Sequence, residues 1–395
     1  MQPIIRSYIS DSKKGGILMN GKKFAAILFS VVLILLAVIT TFSKKDTFSD
    51  EENRNLAVFP SFSGQTVLDK SFMNGFDSYI SDHFFGRDFW VRLKSSIELL
   101  TLKKENNSIL LTNKNTLVEN IKEPTTNRFM RNIDGVLTFT ENNPNAKVYI
   151  AIAPTALDIY SDSLPYSKGT WSQKAEIDKF YSSVDNGAYG IDIYSTLYSN
   201  RDQYIYYNSD HHWTSLGAYY AYTQIAAALD FKPYTKNQFD IEHATNDFYG
   251  TFSSKSKISV DADTIDIYTA ASGDTSVTQV IVNDGKQEKT YDSLYFRDWL
   301  NEKDKYSVFL GQVQPEVTIK TNVENNKKLL IFKDSFAHSL VPFLSLHYSE
   351  IKLIDLRYTN KNYRDLANIS EYDGVLLMYN MESVAHAADI SKLGE

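Results

Sequence analysis

The sequence predicts an α/β fold: a largely parallel sheet flanked by helices, with an antiparallel hairpin insertion and one N-terminal transmembrane helix. Three observations carry that expectation. Short apolar runs closed by turn residues alternate with stretches of helical spacing, the pattern of strands buried on both faces. Asn283-Asp284-Gly285, set between two polar/apolar alternations, is a hairpin signal. The uncharged run from Phe24 to Phe42 is long enough to cross a bilayer once.

Taken in order, residues 1–23 read as a cytoplasmic tail, 24–42 as the anchor, 43–65 as a polar juxtamembrane linker and 66–395 as an extracellular catalytic domain. Residues 1–45 hold seven Lys or Arg against Asp11 alone, and basic flanks stay on the cytoplasmic side. A cleaved signal peptide is the competing reading. It is disfavoured because no small-x-small cleavage site follows and the apolar stretch is long for such a peptide. The first 45 residues carry +6 and the whole chain −7, which leaves −13 on the outer body. That balance gives no footprint for nucleic acid and does not attract polyanions; neutral or amine-bearing glycans are easier partners. The chain has no cysteine, which excludes disulfides, thiolate zinc sites and cysteine nucleophiles.

From Leu68 to Leu102, Phe72, Phe76, Tyr79 and Ile80 recur at helical spacing, and the pattern resumes at Phe89 after Gly86, so two helices are expected there. Strands are expected at Lys147–Ala153 and in runs beginning at Gly190, Tyr204, Leu329, Ile351 and Gly374. Helices are expected over Arg128–Asn142, Ser172–Val184, Ser215–Leu229 and Phe336–Leu346. Residues 258–296 break the alternation and are read as a hairpin insertion placed as a lid near the site.

Asp210-His211-His212-Trp213 carries the most chemistry. A carboxylate beside an imidazole orients the ring and stabilises it once it accepts a proton. In an extended segment Asp210 and His212 share a face, which makes His212 the base and Asp210 its orienter. The plainer reading makes Asp210 a residue at the start of a helix that Thr214 caps. The nucleophile is read as Ser335, in Lys333-Asp334-Ser335-Phe336, where an apolar strand meets a helix and the first helical N–H groups face a developing oxyanion. Asn380, ending the run Gly374–Asn380, is either an oxyanion donor or a turn residue. His338 lines the pocket or caps toward solvent.

Asp-His-His also opens a motif of manganese-dependent phosphoesterases. Those enzymes need an Asp-x-Asp pair near the N-terminus, where this chain has its anchor, and Asp261-Ala262-Asp263 lies instead in the hairpin segment. No metal and no cofactor are expected.

With Asp-His-His-Trp, Lys-Asp-Ser-Phe and Glu52-Asn53-Arg54-Asn55-Leu56-Ala57-Val58-Phe59-Pro60 in one anchored chain, the sequence resembles the DHHW family of Gram-positive bacteria. That family looks related to the SGNH-hydrolase-like alginate O-acetyltransferases, whose Asp-x-His-Trp motif also precedes the serine segment. The resemblance implies an SGNH-like fold, a triad of Asp210, His212 and Ser335, and acetyl transfer to a cell-surface or secreted polysaccharide. It further implies a membrane-bound O-acyltransferase as the partner that delivers acetyl. Lys333 departs from the glycine of the usual Gly-Asp-Ser. An acetyl-esterase with the same residues, or a glycan-binding scaffold whose many Tyr and Trp stack on sugars, are the alternatives.

Overall fold

A computed structural model of the chain describes residues 21–49, 54–101, 103–165, 171–273, 277–387 and 389–395. Most of the stretch read as a cytoplasmic tail, and Glu52 and Asn53 of the N-terminal motif, lie outside these. The chain divides into two units, residues 1–49 with 55–89, and residues 50–54 with 90–395.

In the smaller unit, helix α1 (Gly21–Phe42) is apolar, exposed along most of its length, and long enough to cross a membrane; a signal sequence has the same properties. Helix α2 (Ser71–His83) presents Phe72, Phe76 and Tyr79 to Phe59, whose ring meets all three edge-on at centroid distances of 6.4, 6.1 and 5.2 Å. Ala57 N–H donates to Asp82 at 2.8 Å. The stretch read as a linker therefore folds onto α2 through its apolar residues, which its polar composition concealed. Gly86, at φ 65°, ends α2 and opens α3 (Arg87–Leu100) in a conformation costly for a residue with a Cβ.

The larger unit is built on an eight-stranded mixed sheet. Its strands are β1 (Val148–Ala153), β2 (Ala188–Ile191), β5 (Val277–Asn283), β6 (Glu288–Tyr291), β7 (Glu316–Thr321), β8 (Lys328–Lys333), β9 (Glu350–Ile354) and β10 (Gly374–Asn380). A separate antiparallel ribbon pairs β3 (Phe239–Phe248) with β4 (Asp263–Ala270). Across the sheet the order is β2, β1, β10, β8, β9, β7, β5, β6; the first five are parallel and the last three antiparallel additions.

Alternate residues of the central strands feed two apolar layers. Leu329, Ile331, Leu376 and Met378 face α6 (Ser215–Ala228) and α7 (Ala337–Leu344). Leu330, Phe332, Val375 and Leu377 face α4 (Thr126–Asn142), α5 (Gln173–Val184) and α8 (Met381–His386). Because both faces are covered, the strands read as continuous apolar runs. Each such side chain contributes about 1.5–3 kcal/mol through burial.

Two expectations are corrected. The run from Tyr204 joins no sheet; it makes a single bridge, Tyr206 to Trp213, because the chain turns back at Asn208-Ser209. Its apolar character reflects burial, and burial alone does not make a strand. The hairpin at Asn283-Asp284-Gly285 does form, with Asp284 accepting from Lys286 N–H and Gln287 N–H, but it is no lid. Its first strand, β5, pairs with β7 and extends the main sheet.

Candidate active site

Strand β8, fully buried from Leu329 to Lys333, delivers Lys333-Asp334-Ser335 to the start of α7. The Asp334 carboxylate accepts from Phe336 N–H at 2.9 Å and from Asn380 N–H at 2.7 Å, which ties the exits of β8 and β10 together. Ser335 thus sits outside the carboxyl ends of parallel strands, where open α/β sheets bind ligands. With Phe336 N–H occupied by Asp334, the Ser335 N–H is the donor of this turn that has no partner among the described residues.

Across from Ser335 lies the loop after the buried Tyr206-Tyr207 pair. Asp210 Oδ1 lies 2.6 Å from His212 Nδ1 and accepts His212 N–H at 3.0 Å, an Asx turn that folds the ring back onto its own carboxylate. His212 Nε2 lies 2.8 Å from Ser335 Oγ. The structure therefore brings Asp210, His212 and Ser335 into one hydrogen-bonded line, through a turn and not through strand alternation. The network sets the tautomer: Nδ1–H donates to Asp210, leaving Nε2 to accept from Ser335.

Several residues that sequence reasoning missed hold this line in place. Asp210 Oδ2 accepts from Thr251 N–H at 2.7 Å, and a Cβ on Gly250 would stand 2.3 Å from that oxygen. Asp263 accepts from Asn208 N–H, Ser209 N–H and Tyr204 Oη, bracing the turn before Asp210. Trp213 Nε1 donates to Phe336 O at 3.1 Å and to Ser339 Oγ at 3.0 Å, joining the histidine loop to α7. Tyr306 stacks on His212 with centroids 3.7 Å apart and planes 8° from parallel. Gly250, Thr251 and Tyr306 stand in no local motif, Asp263 was read only as half of an Asp-x-Asp pair, and Trp213 closes the Asp-His-His-Trp motif without a role assigned to it. Thr214 does cap α6, accepting from Gly217 N–H, so the capping role and the site coexist on one loop.

Electrostatics follow from burial and from the shared carboxylate. Burial alone would raise Asp210, yet the charges of His211 and His212 hold it well below the usual carboxylate range. Burial, and then the neighbouring His211, push His212 down to about 4, so its ring is neutral near pH 7. Burial also opposes a charge on His211, but Asp210 outweighs it and keeps His211 above the ordinary imidazole range. His211 Nδ1 stands 3.4 Å from Asp210 Oδ1 without a hydrogen bond among the described residues, and its ring lines a narrow cavity with Phe336, Asn380, Leu157 and Glu382.

Asn380 takes the capping role of a turn residue at the strand exit. Its Oδ1 accepts from Ser383 N–H at 2.9 Å, capping α8, and this leaves the Nδ2 amide as the group without a partner among the described residues. His338 neither lines the cavity nor caps toward solvent: it is 3% exposed, and its Nε2 accepts from Lys333 Nζ at 2.8 Å. Lys333, 0% exposed, also reaches Asp355 at 3.3 Å, and Arg357 holds Asp355 through two further bonds of 2.9 and 2.7 Å. Where a glycine was the comparison, an ion network of Lys333, Asp355 and Arg357 lies under the serine turn. One ligating atom from each of Asp210, His211 and His212 falls within 4.8 Å of the others, a spacing compatible with a metal ion. Both ring nitrogens of His212, however, are already engaged by Asp210 and Ser335.

Residues 129–354, more than half of the chain, match the family model described as DHHW protein. Among solved structures, a DHHW family protein from Eubacterium siraeum is similar at 23% identity and a TM-score of 0.62, covering 73% of this chain and 95% of its own. Bacillus cereus PatB1 with a sulfonyl adduct is similar at 20% identity and a TM-score of 0.62, covering 73% and 98%. The O-acetyltransferase domain of Pseudomonas putida AlgJ aligns at 13% identity over 73% and 98%, at a TM-score of 0.45, and nothing below rests on that likeness. No curated protein sequence matches the chain.

Proposed function

The chain belongs to the DHHW family, and from that premise and the site geometry we propose that it is a membrane-anchored, extracellular O-acetyltransferase acting on a polysaccharide through an acetyl-Ser335 intermediate. The observation that carries the reading is His212, which contacts Asp210 at 2.6 Å on one ring nitrogen and Ser335 at 2.8 Å on the other. A serine hydroxyl is a weak nucleophile until an adjacent base takes its proton.

In the first half-reaction Ser335 Oγ attacks the acetyl carbonyl while His212 Nε2 accepts the Oγ proton, and Asp210 stabilises the imidazolium. The oxyanion is met by the Ser335 N–H and the Asn380 amide, both without partners among the described residues. The bond to the donor's leaving oxygen then breaks, and that oxygen takes the proton from His212. In the second half a sugar hydroxyl passes its proton to His212 and attacks the acetyl ester; the bond to Ser335 Oγ then breaks and Oγ takes that proton from His212, restoring serine and base. Water in place of the sugar makes the same residues an acetyl-esterase. The helix Gly21–Phe42 supports anchoring to the membrane, and a membrane-bound O-acyltransferase fits as the source of acetyl.

The test uses the full chain in detergent with an activated acetyl ester and, separately, with a sulfonyl fluoride, locating adducts by peptide mass spectrometry. An adduct on Ser335, absent in Ser335→Ala and reduced at least about 100-fold in His212→Ala, is the expected outcome, since general-base assistance contributes about 10²–10⁴-fold. Protein that is folded yet unlabelled sinks the reading. Partition of the acetyl-enzyme between glycan and water then separates transferase from esterase.

A further inference from the structure

We propose that Tyr306 is a positioning residue that fixes the base and the nucleophile of this site relative to each other; the inference rests on the acyl-serine reading above. Tyr306 lies in the turn Lys305–Val308, far from both motifs in sequence, and is 4% exposed. One ring does two things at once. Its face lies flat on His212, at 3.7 Å and 8°. Its hydroxyl donates to the backbone carbonyl of Ser335 at 3.1 Å and lies 3.1 Å from Ser339 Oγ.

The hydrogen-bond inventory closes around it. A phenol has one proton to give, and the Ser335 carbonyl can only accept, so that proton goes to Ser335. Ser339 Oγ accepts from Trp213 Nε1 at 3.0 Å and is then free to donate its own proton to the Tyr306 oxygen. The chain Trp213, Ser339, Tyr306, Ser335 therefore runs from the residue after His212 back to the nucleophile without an unmatched group.

The stack adds two further effects. His211 and Phe336 also pack against the His212 ring, with centroids 3.8 and 5.2 Å away, so the imidazole has little room to rotate away from Ser335 Oγ. When the ring takes the serine proton, the π face of Tyr306 lies against the new cation, an attractive arrangement. The phenol in turn is seated by Tyr207 and Phe309, at 6.2 and 5.4 Å, in an apolar cluster shared with the β3–β4 ribbon. Rigidity at the ribbon is thereby transmitted to the distance between base and nucleophile.

Tyr306→Phe keeps the ring and deletes the hydroxyl; Tyr306→Leu deletes the stack. In the full chain, acetyl-ester turnover in Tyr306→Phe is expected to fall ~10-fold in kcat with KM unchanged, the scale of one lost hydrogen bond. Tyr306→Leu is expected to fall ~100-fold, the scale of a misplaced reacting group. A second readout does not depend on turnover: the downfield N–H proton of the His212–Asp210 bond, followed by NMR and assigned by its loss in His212→Gln. It is expected to persist in Tyr306→Phe and to broaden by exchange in Tyr306→Leu while near-ultraviolet dichroism stays native. Tyr306→Phe turnover within twofold of the parent overturns the hydroxyl's role, and an unchanged His212 resonance in Tyr306→Leu overturns the stack's. A parent chain that shows the resonance but no Ser335 acylation counts against the acyl-serine reading, while the resonance still decides the role of Tyr306.

Discussion

Two imidazoles share the single carboxylate of Asp210, and they are driven in opposite directions. His212 is pushed down to about 4 by burial and by the charge next to it, whereas Asp210 keeps His211 raised. A base works in its neutral form, so serine acylation is expected to rise through an apparent pKa near 4 and to be level from there to neutral pH. His211→Gln removes the charge that helps to depress His212, and its acid limb is expected to move upward, toward the free-imidazole value of about 6.5. The pH profile of Ser335 sulfonylation checks both, and an acid limb already at the free-imidazole value in the parent would contradict the burial argument. The three residues of the line were legible in the sequence because Asp-x-His and Asp-Ser are local signals. Tyr306 was not: it is one of 26 tyrosines, and only the fold tells a stacked phenol from a core one.

At the level of elements, the strand-to-helix junctions were readable and the braces between them were not. Central strands declare themselves as apolar runs, and α4 to α7 lie within two residues of their expected bounds at each end, because helical periodicity survives in the sequence. The run from Tyr204 misled because a buried turn pinned by Asp263 has the same composition as a strand. The segment 248–252 is such a brace, and its glycine is explained only by the close approach of another residue's side chain. Gly250 has φ −86°, which any residue adopts, so its need is steric: an added Cβ would meet Asp210 at 2.3 Å. Gly250→Ala is therefore expected to fold, to displace the carboxylate, and to slow Ser335 acylation ~100-fold, the cost of roughly 1 Å of misplacement. Stopped-flow sulfonylation together with near-ultraviolet dichroism measures it; a variant as fast as the parent would show that Asp210 needs no such seat.

At the scale of the whole molecule, charge is the property that sequence settles and fold only distributes. Beyond residue 45 the chain carries −13, and the cavity beside the serine adds Glu382 to its wall, where burial and Glu119 raise the carboxyl. Such a body repels polyanions over distances comparable to the Debye length, about 8 Å at physiological ionic strength, and attracts cations over the same range. On the proposed transferase reading, the acceptor that suits it is a neutral or amine-bearing glycan. Affinity electrophoresis of the full chain through gels holding a neutral glycan, an amino-glycan or a polyuronate separates the cases. Retardation by the amino-glycan is expected to weaken as salt rises, that by the neutral glycan to stay level, and that by the polyuronate to be least at low salt and to grow as repulsion is screened. Tightest binding of the polyuronate at low salt would mean that a local cationic surface overrides the net charge, and the acceptor class would then have to be redrawn.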